Sequence, residues 1–305
     1  MSFEPDAILD RRRLRRNLSL WRIAALVALT GVVTMIAVGL TGLPFGRDHI
    51  SRLEVLGIIV DDEDRDQAIR ELADDTRTKA LIVSIDSPGG TTSGSEGLYL
   101  ALREVARKKP VVAVMGTVAA SGGYITAIGA DHIIARGNTI TGSIGVLMQN
   151  TEFSELLKKV GVGIELITSG PLKGKPSPFE PIDEKGRAAI QTLIDDSYQW
   201  FVGLVAERRN LSPERARELA DGRVYSGRLA LDAKLIDQIG GLPEARVWLE
   251  KEKEVSGKLP VQLLEYGDDT TLPGLWMESL FLGWAEKSLN LKRLTLDGLV
   301  SLWHP

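Results

Sequence analysis

The sequence predicts an α/β protein with a largely parallel sheet, preceded by one N-terminal transmembrane helix. From about residue 51 onward, apolar strand-like runs alternate with amphipathic helix-like segments. This alternation is typical of a parallel sheet whose strands are joined by helical crossovers. A charge-free apolar stretch covers residues 23–43. As a helix it would span about 31 Å, close to the thickness of a bilayer core.

The charges that flank this apolar stretch predict its orientation. Six arginines precede it, and an acidic run follows at residues 61–64. By the positive-inside rule, the N-terminus lies in the cytoplasm and the rest of the chain across the membrane. A cleaved signal peptide is the alternative, but its apolar region is only about 7–15 residues long and ends in an Ala-x-Ala-like site. The longer stretch here ends in Leu40-Thr41-Gly42-Leu43-Pro44, which favours an uncleaved anchor.

Apolar runs rich in valine, isoleucine and alanine predict the strands, and apolar residues at steps of three and four predict the helices. The predicted strands lie at residues 53–60, 80–85, 111–115, 132–135 and 144–149, with a further extended segment at 163–168. The predicted helices lie at residues 64–73, 93–107, 152–160, 190–205, 212–220 and 226–234, with a short one after Ser121. The predicted organisation is a basic N-terminus (1–22), an anchor (23–43), one α/β domain (51–250) and a tail with an amphipathic helix (251–305). That tail could pack on the domain, lie at the membrane interface or join subunits.

Composition excludes several classes of function. The chain has 305 residues and a net charge of −4, which argues against nucleic acid as a partner. It has no cysteine, so disulfides, thiolate metal sites and a cysteine nucleophile are excluded. Of the three histidines, only His132 lies within the predicted domain, in a short strand where a structural role is expected. Neither a metal nor another cofactor is expected.

Ser121 is the candidate nucleophile. It lies among small residues where a buried strand gives way to a helix, and such a turn exposes a hydroxyl near a helix N-terminus. A helix N-cap is the alternative role for this serine.

Two further segments could support chemistry at Ser121. Gly89 and Gly90 follow the strand at 80–85, where a glycine turn can direct main-chain N–H groups at an oxyanion. The alternative is a simple strand-to-helix turn. Ser143 precedes another predicted strand and could bond a catalytic group or satisfy a turn.

A loop rich in glycine and proline contains two lysines, either of which could act as the general base in place of a histidine. Lys173 and Lys175 both lie in this loop, and serine–lysine pairs are a recognised form of activated nucleophile. A lysine must lose its proton to act as a base, and burial away from carboxylates favours that loss. Solvent-facing lysines are the alternative interpretation, and Lys175 is the rival base.

Five short segments that contain glycine and serine follow one another in order: Asp86-Ser87-Pro88-Gly89-Gly90, Ala120-Ser121-Gly122-Gly123-Tyr124, Thr141-Gly142-Ser143-Ile144-Gly145-Val146, Ser169-Gly170 with Lys173, and Gly222-Arg223-Val224-Tyr225-Ser226-Gly227. In this order they resemble the bacterial signal peptide peptidases of the serine/lysine type, in their short, single-domain form. The resemblance covers roughly residues 53–242.

This resemblance implies a ClpP/crotonase-like fold and a membrane-anchored serine endopeptidase that degrades cleaved signal peptides or other hydrophobic segments. It implies a bacterial inner-membrane enzyme whose catalytic domain lies on the extracytoplasmic side, and a ring-shaped homo-oligomer whose subunits complete one another's sites. The implied roles are nucleophile for Ser121, general base for Lys173, oxyanion donors near Gly89, Gly90 and Gly122, and a lysine-contacting hydroxyl for Ser143.

Two other functions stay open at this point. A crotonase-like acyl-CoA enzyme would share the paired oxyanion turns, although its usual carboxylates have no obvious counterpart beside these motifs. A non-catalytic membrane scaffold could keep the fold without needing an intact serine–lysine pair.

Overall fold

The computed structural model describes residues 20–31, 47–267 and 300–302. The chain divides into two compact units, residues 1–47 and 48–305. In the first unit, residues 20–31 form helix α1. No helix among the described residues is both long and apolar enough to cross a membrane. Residues 32–43 of the predicted anchor lie outside the described residues, as does the predicted tail helix.

The second unit is built on one sheet that is mostly parallel. Its strands are β1 (His49–Ile59), β2 (Thr78–Thr91), β3 (Val111–Ala120), β4 (His132–Ala135), β5 (Ile140–Gly142), β6 (Val224–Ser226), β7 (Gln238–Ile239), β8 (Val261–Leu263) and β9 (Val300–Leu302). The main path runs β6-β5-β3-β2-β1-β8, while β4 joins β3 to β7. Only the β5–β6 and β2–β9 pairs are antiparallel among the described strands. The prediction of an α/β fold with a largely parallel sheet is therefore confirmed.

The helices of this unit connect and cover the strands. They are α2 (Glu63–Leu72), α3 (Thr92–Ala106), α4 (Gly122–Ile128), α5 (Ser154–Lys159), α6 (Glu184–Arg209), α7 (Pro213–Leu219), α8 (Gly227–Asp232) and α9 (Leu242–Lys253). Polar residues cap the N-termini of three helices. The Asp62, Asp183 and Ser212 side chains accept hydrogen bonds from backbone N–H groups in the first turns of α2, α6 and α7.

The central strand β2 is buried on both faces. Leu81, Val83 and Ile85 belong to the larger core, which α3 and α4 also help to form. Ile82 points to a smaller core beneath α9. Helices cover both faces of the sheet, which is why its central strands read as continuous apolar runs.

The predicted strand at 144–149 is wrong. The strand in this region is β5, which ends at Gly142. Gly142 and Ser143 both have positive φ, at 79° and 48°, and these angles turn the backbone out of the extended conformation. The sequence pattern hides this break because the apolar residues continue beyond it.

A pair of glycine substitutions tests the packing of β2. A Cβ at Gly90 would collide with the main-chain carbonyl of Ile59 on β1, and backbone cannot move aside cheaply. Gly90→Ala should therefore lower the free energy of unfolding by about 2–3 kcal/mol. Gly203→Ala is the control: Gly203 lies inside α6 with open space around it, so this change should stabilise by about 0.5–1 kcal/mol. Denaturant titration of both variants measures the difference, and equal stabilities would contradict this packing.

Candidate active site

Ser121 lies at a strained turn between β3 and α4. Its backbone has φ 55° and ψ −115°, a conformation that residues with a Cβ rarely adopt. Its N–H donates to the carbonyl of Gly142 at 2.8 Å, and its side chain makes no capping hydrogen bond to α4. A serine on a sharp strand-to-helix turn is the geometry of a nucleophile elbow. The N-cap role is therefore not supported for this side chain.

The three candidate oxyanion glycines pack against one another beside Ser121. A Cβ at Gly122 would lie 3.1 Å from the nitrogen of Gly90 and 3.2 Å from the Cα of Gly89, and it would also collide with the Ser95 hydroxyl. Ser95 is itself fixed, because its Oγ donates to the carbonyl of Thr91 at 2.8 Å. Only glycine fits at position 122, where the Ser121 turn packs against the glycine turn at 89–90.

The Ser87 hydroxyl organises the turn that carries Gly89. Its Oγ donates to the carbonyl of Gly57 on β1 at 2.6 Å, and it accepts from the N–H of Gly89 at 3.1 Å. The N–H of Gly89 is thus already engaged and would have to exchange this bond to reach an oxyanion. Sequence reasoning assigned no role to Ser87, although it lies inside a recognised motif.

Asp86, the residue before Ser87, forms hydrogen bonds with the neighbouring strand β3. Its carboxylate accepts hydrogen bonds from the N–H groups of Thr117 and Val118 on β3, at 3.3 and 3.1 Å. The β2–β3 register shifts between Ile85 and Ser87, so these bonds lie at the irregular part of the pairing. Asp86 therefore fixes the stretch of β3 that leads to Ser121.

Ser143 lies close to the serine turn because β5 pairs with the end of β3. Gly142 is the partner of Ala120 in this pairing, and Ser143 is buried next to it. The N–H of Ser143 donates to the carbonyl of Arg223 at 2.9 Å. A Cβ at Gly142 would lie 2.5 Å from the Tyr225 ring. The segment at 222–227 therefore packs against the turn that carries Ser143. The structure thus brings Ser121, Ser143 and the three glycines together.

Lys173 is exposed, whereas the residues of this cluster are buried. It belongs to a segment, here called the arm, that comprises residues 145–182. Its side chain is exposed, and its N–H donates to the carbonyl of Gly170 at 3.1 Å. Among the described residues of this chain, no hydrogen bond joins it to Ser121. The residues that the structure describes therefore do not give Lys173 the apolar burial expected for a base.

Lys175 has a different environment. Its Nζ donates to Glu180 Oε1 at 2.7 Å and lies 3.8 Å from Asp183 Oδ2, with the side chain only 14% exposed. The hydrogen bond to Glu180 raises the pKa of Lys175, because the bond favours the charged form. A lysine held protonated by carboxylates is a poor general base. This ion pair disfavours the rival base and leaves Lys173 as the better candidate.

The arm exposes an unusual amount of apolar surface. Its exposed apolar side chains are Leu147, Phe153, Leu156, Val160, Val162, Ile164, Leu166, Ile167, Leu172 and Phe179. Ile167 is 92% exposed. So many exposed apolar side chains within one segment favour a contact with another molecule.

Comparison with known proteins shows the family of this chain. Residues 103–256 match the sequence model of "Peptidase family S49". "Putative protease slr0021" of Synechocystis sp. is 42% identical over 66% of this chain and 73% of that protein. "Putative signal peptide peptidase SppA" of Enterococcus faecium is 33% identical over 77% and 67%. "Protease 4" of Haemophilus influenzae is 36% identical over 68% of this chain and 36% of that protein.

A serine turn packed on a parallel α/β sheet and the sequence match together define a peptidase. The chain belongs to peptidase family S49, as a protease of the SppA type. The resemblance stated from its motifs is confirmed.

Proposed function

We propose that this protein is a membrane-anchored serine endopeptidase that degrades cleaved signal peptides or other hydrophobic peptide segments, using Ser121 and Lys173. The strained Ser121 turn, packed against the glycine turn at 89–90, is the observation that carries the proposal. The relative named a signal peptide peptidase suggests the substrate class. The ClpP/crotonase-like architecture is part of the same proposal.

The proposed reaction begins when Ser121 Oγ bonds to the peptide carbonyl carbon and neutral Lys173 Nζ takes the hydroxyl proton. The N–H groups of Gly90 and Gly122, with that of Gly89 if it leaves Ser87, stabilise the oxyanion of the tetrahedral intermediate. The C–N bond then breaks, and the lysine returns its proton to the leaving amine. The same lysine then takes a proton from water as the water oxygen bonds to the acyl carbon. The bond from that carbon to Ser121 Oγ breaks, and the lysine gives the proton back to Oγ.

We further propose that Lys173 acts on Ser121 of a neighbouring subunit in a ring-shaped homo-oligomer. The exposure of Lys173 and the apolar surface of the arm support this arrangement, because both would be covered by a second copy. A lysine enclosed between two subunits loses water, which favours its neutral form. In this proposal, Ser143 contacts the lysine of the neighbouring subunit.

Mixing two inactive variants tests this arrangement. The Ser121→Ala subunits keep Lys173, and the Lys173→Ala subunits keep Ser121. If neighbours complete each other's sites, a co-refolded 1:1 mixture should regain about one quarter of wild-type activity, since one junction in four carries both groups. Peptide hydrolysis by the mixture is compared with each variant alone. Activity of the mixture no higher than that of its components would contradict a shared site.

The membrane topology is a separate part of the proposal. The basic N-terminus would lie in the cytoplasm, residues 23–43 would form the anchor in contact with lipid, and the catalytic domain would face outward. Added protease should then digest the domain in spheroplasts without detergent. A domain protected until the membrane is dissolved would reverse the orientation.

A further inference from the structure

The strand β3 changes its partners just before it reaches Ser121. Up to Met115 it pairs with β2 on one edge and with β4 on the other. Its pairing with β5 begins at Val118, and its pairing with β2 resumes only at Ala119. Residues 116 and 117 therefore pair with no described strand. Buried main-chain groups in such a gap need other hydrogen-bond partners.

Two threonine hydroxyls supply partners for the carbonyl groups in this part of β3. The Thr139 hydroxyl, just before β5, donates to the carbonyl of Gly116 at 2.7 Å. The Thr141 hydroxyl, on β5, donates to the carbonyl of Ala119 at 2.7 Å. Both threonines are buried. Asp86 binds the same part of β3 from the β2 side, so side chains hold it from both edges.

The strained backbone of Ser121 depends on contacts of this kind. A residue keeps an unfavourable backbone conformation only where the surrounding structure holds it. Two consecutive residues of β5 do so here, because the Thr141 hydroxyl binds Ala119 and the Gly142 carbonyl accepts from the Ser121 N–H. The next residue, Ser143, is the one proposed to contact the lysine. A shift of this short segment would therefore move the nucleophile and the proposed partner of the base together.

We propose that Thr139 and Thr141 are positioning residues of the peptidase, which hold β3 through their hydroxyls and so fix the direction of Ser121 Oγ. This rests on the proposed peptidase function. Loss of either hydroxyl lets the strained turn relax, and a small misplacement of a reacting atom can lower the rate by about 10²-fold. The loss falls on kcat and not on KM, because both hydroxyls are buried against β3 and do not face the substrate.

Paired valine and serine variants test the two hydroxyls. Valine keeps the shape of threonine without its hydroxyl, and serine keeps the hydroxyl. We expect Thr141→Val to lower kcat for a signal-sequence peptide by about 10–100-fold and Thr139→Val by about threefold or more, with KM within about twofold of wild type. Thr141→Ser and Thr139→Ser should stay within about threefold of wild-type kcat. A folded valine variant with wild-type kcat, or a serine variant as slow as its valine counterpart, would overturn the proposal.

Thr78→Val is the matched control. Thr78 is also buried, and its hydroxyl donates to the Asp75 carboxylate at 2.7 Å. It lies at the first residue of β2, at the opposite end of that strand from the glycine turn. Its loss should lower Tm and leave the kcat of the folded protein unchanged. Equal losses of kcat in Thr78→Val and Thr141→Val would assign the effect to any buried hydroxyl and overturn the positioning role.

Hydrogen exchange separates this proposal from the peptidase assignment, because it needs no turnover. In the full-length protein, the amides of residues 119–123 should exchange faster in Thr141→Val than in Thr141→Ser or wild type. Faster exchange without peptide hydrolysis by the wild type would leave the contact with β3 standing and refute the peptidase function. Equal exchange in the three proteins would refute the contact, whatever the activity.

Discussion

Replacing Ser121 with alanine is expected to abolish peptide hydrolysis, lowering kcat by about 10⁴-fold or more. The variant loses the oxygen that would bond to the substrate's carbonyl carbon. The turn should persist, because Ser121 is held to Gly142 through its main-chain N–H and its side chain does not cap α4. Alanine also carries a Cβ, so it experiences the positive φ much as serine does.

Hydrolysis of a fluorogenic signal-sequence peptide measures this loss. Ser256→Ala is the matched control, since this exposed serine follows α9 and belongs to none of the site segments. Thermal unfolding of both variants should agree with wild type, which separates lost chemistry from lost structure. If Ser121→Ala retained more than a tenth of wild-type kcat, another group would have to be the nucleophile.

Replacing Lys173 with arginine is expected to lower kcat by about 10²–10⁴-fold, as the loss of a general base does. Arginine keeps the positive charge and the length of the side chain but does not give up its proton near neutral pH. If Lys173 had only an electrostatic or packing role, the arginine variant would keep its activity. If Lys173 is the general base, the arginine variant loses activity.

Lys175→Arg is the matched control for Lys173→Arg. Lys175 forms an ion pair with Glu180, and an arginine can keep that pair. We expect this variant to stay within about threefold of wild-type kcat. Equal losses in the two arginine variants would contradict the assignment of the base, and a loss confined to Lys175→Arg would move it to Lys175.

The serine turn could be predicted because local sequence dictates it. A buried strand, a run of small residues and a helical pattern follow one another within residues 111–128, and the structure keeps that order as β3, Ser121 and α4. The glycines at 89–90 could be placed near it for a similar reason. Parallel strands bring their carboxyl ends to one edge, and β2 and β3 are neighbours.

Other features depend on contacts that no local pattern records. The engagement of the Gly89 N–H by Ser87 requires the side-chain geometry of the turn. The choice between Lys173 and Lys175 depends on Glu180, which lies five residues beyond Lys175 and folds back onto it. The strand β9 pairs with a segment more than 200 residues away in sequence. Its three-residue pattern is too short to predict which strand it pairs with.

Covalent labelling tests most directly whether Ser121 is the nucleophile. The purified protein is treated with a fluorophosphonate, digested and analysed by mass spectrometry. We expect one phosphonylated serine, Ser121, with labelling slowed in Lys173→Arg and absent in Ser121→Ala. A stoichiometric adduct on a different serine, or labelling that persists in Ser121→Ala, would contradict it.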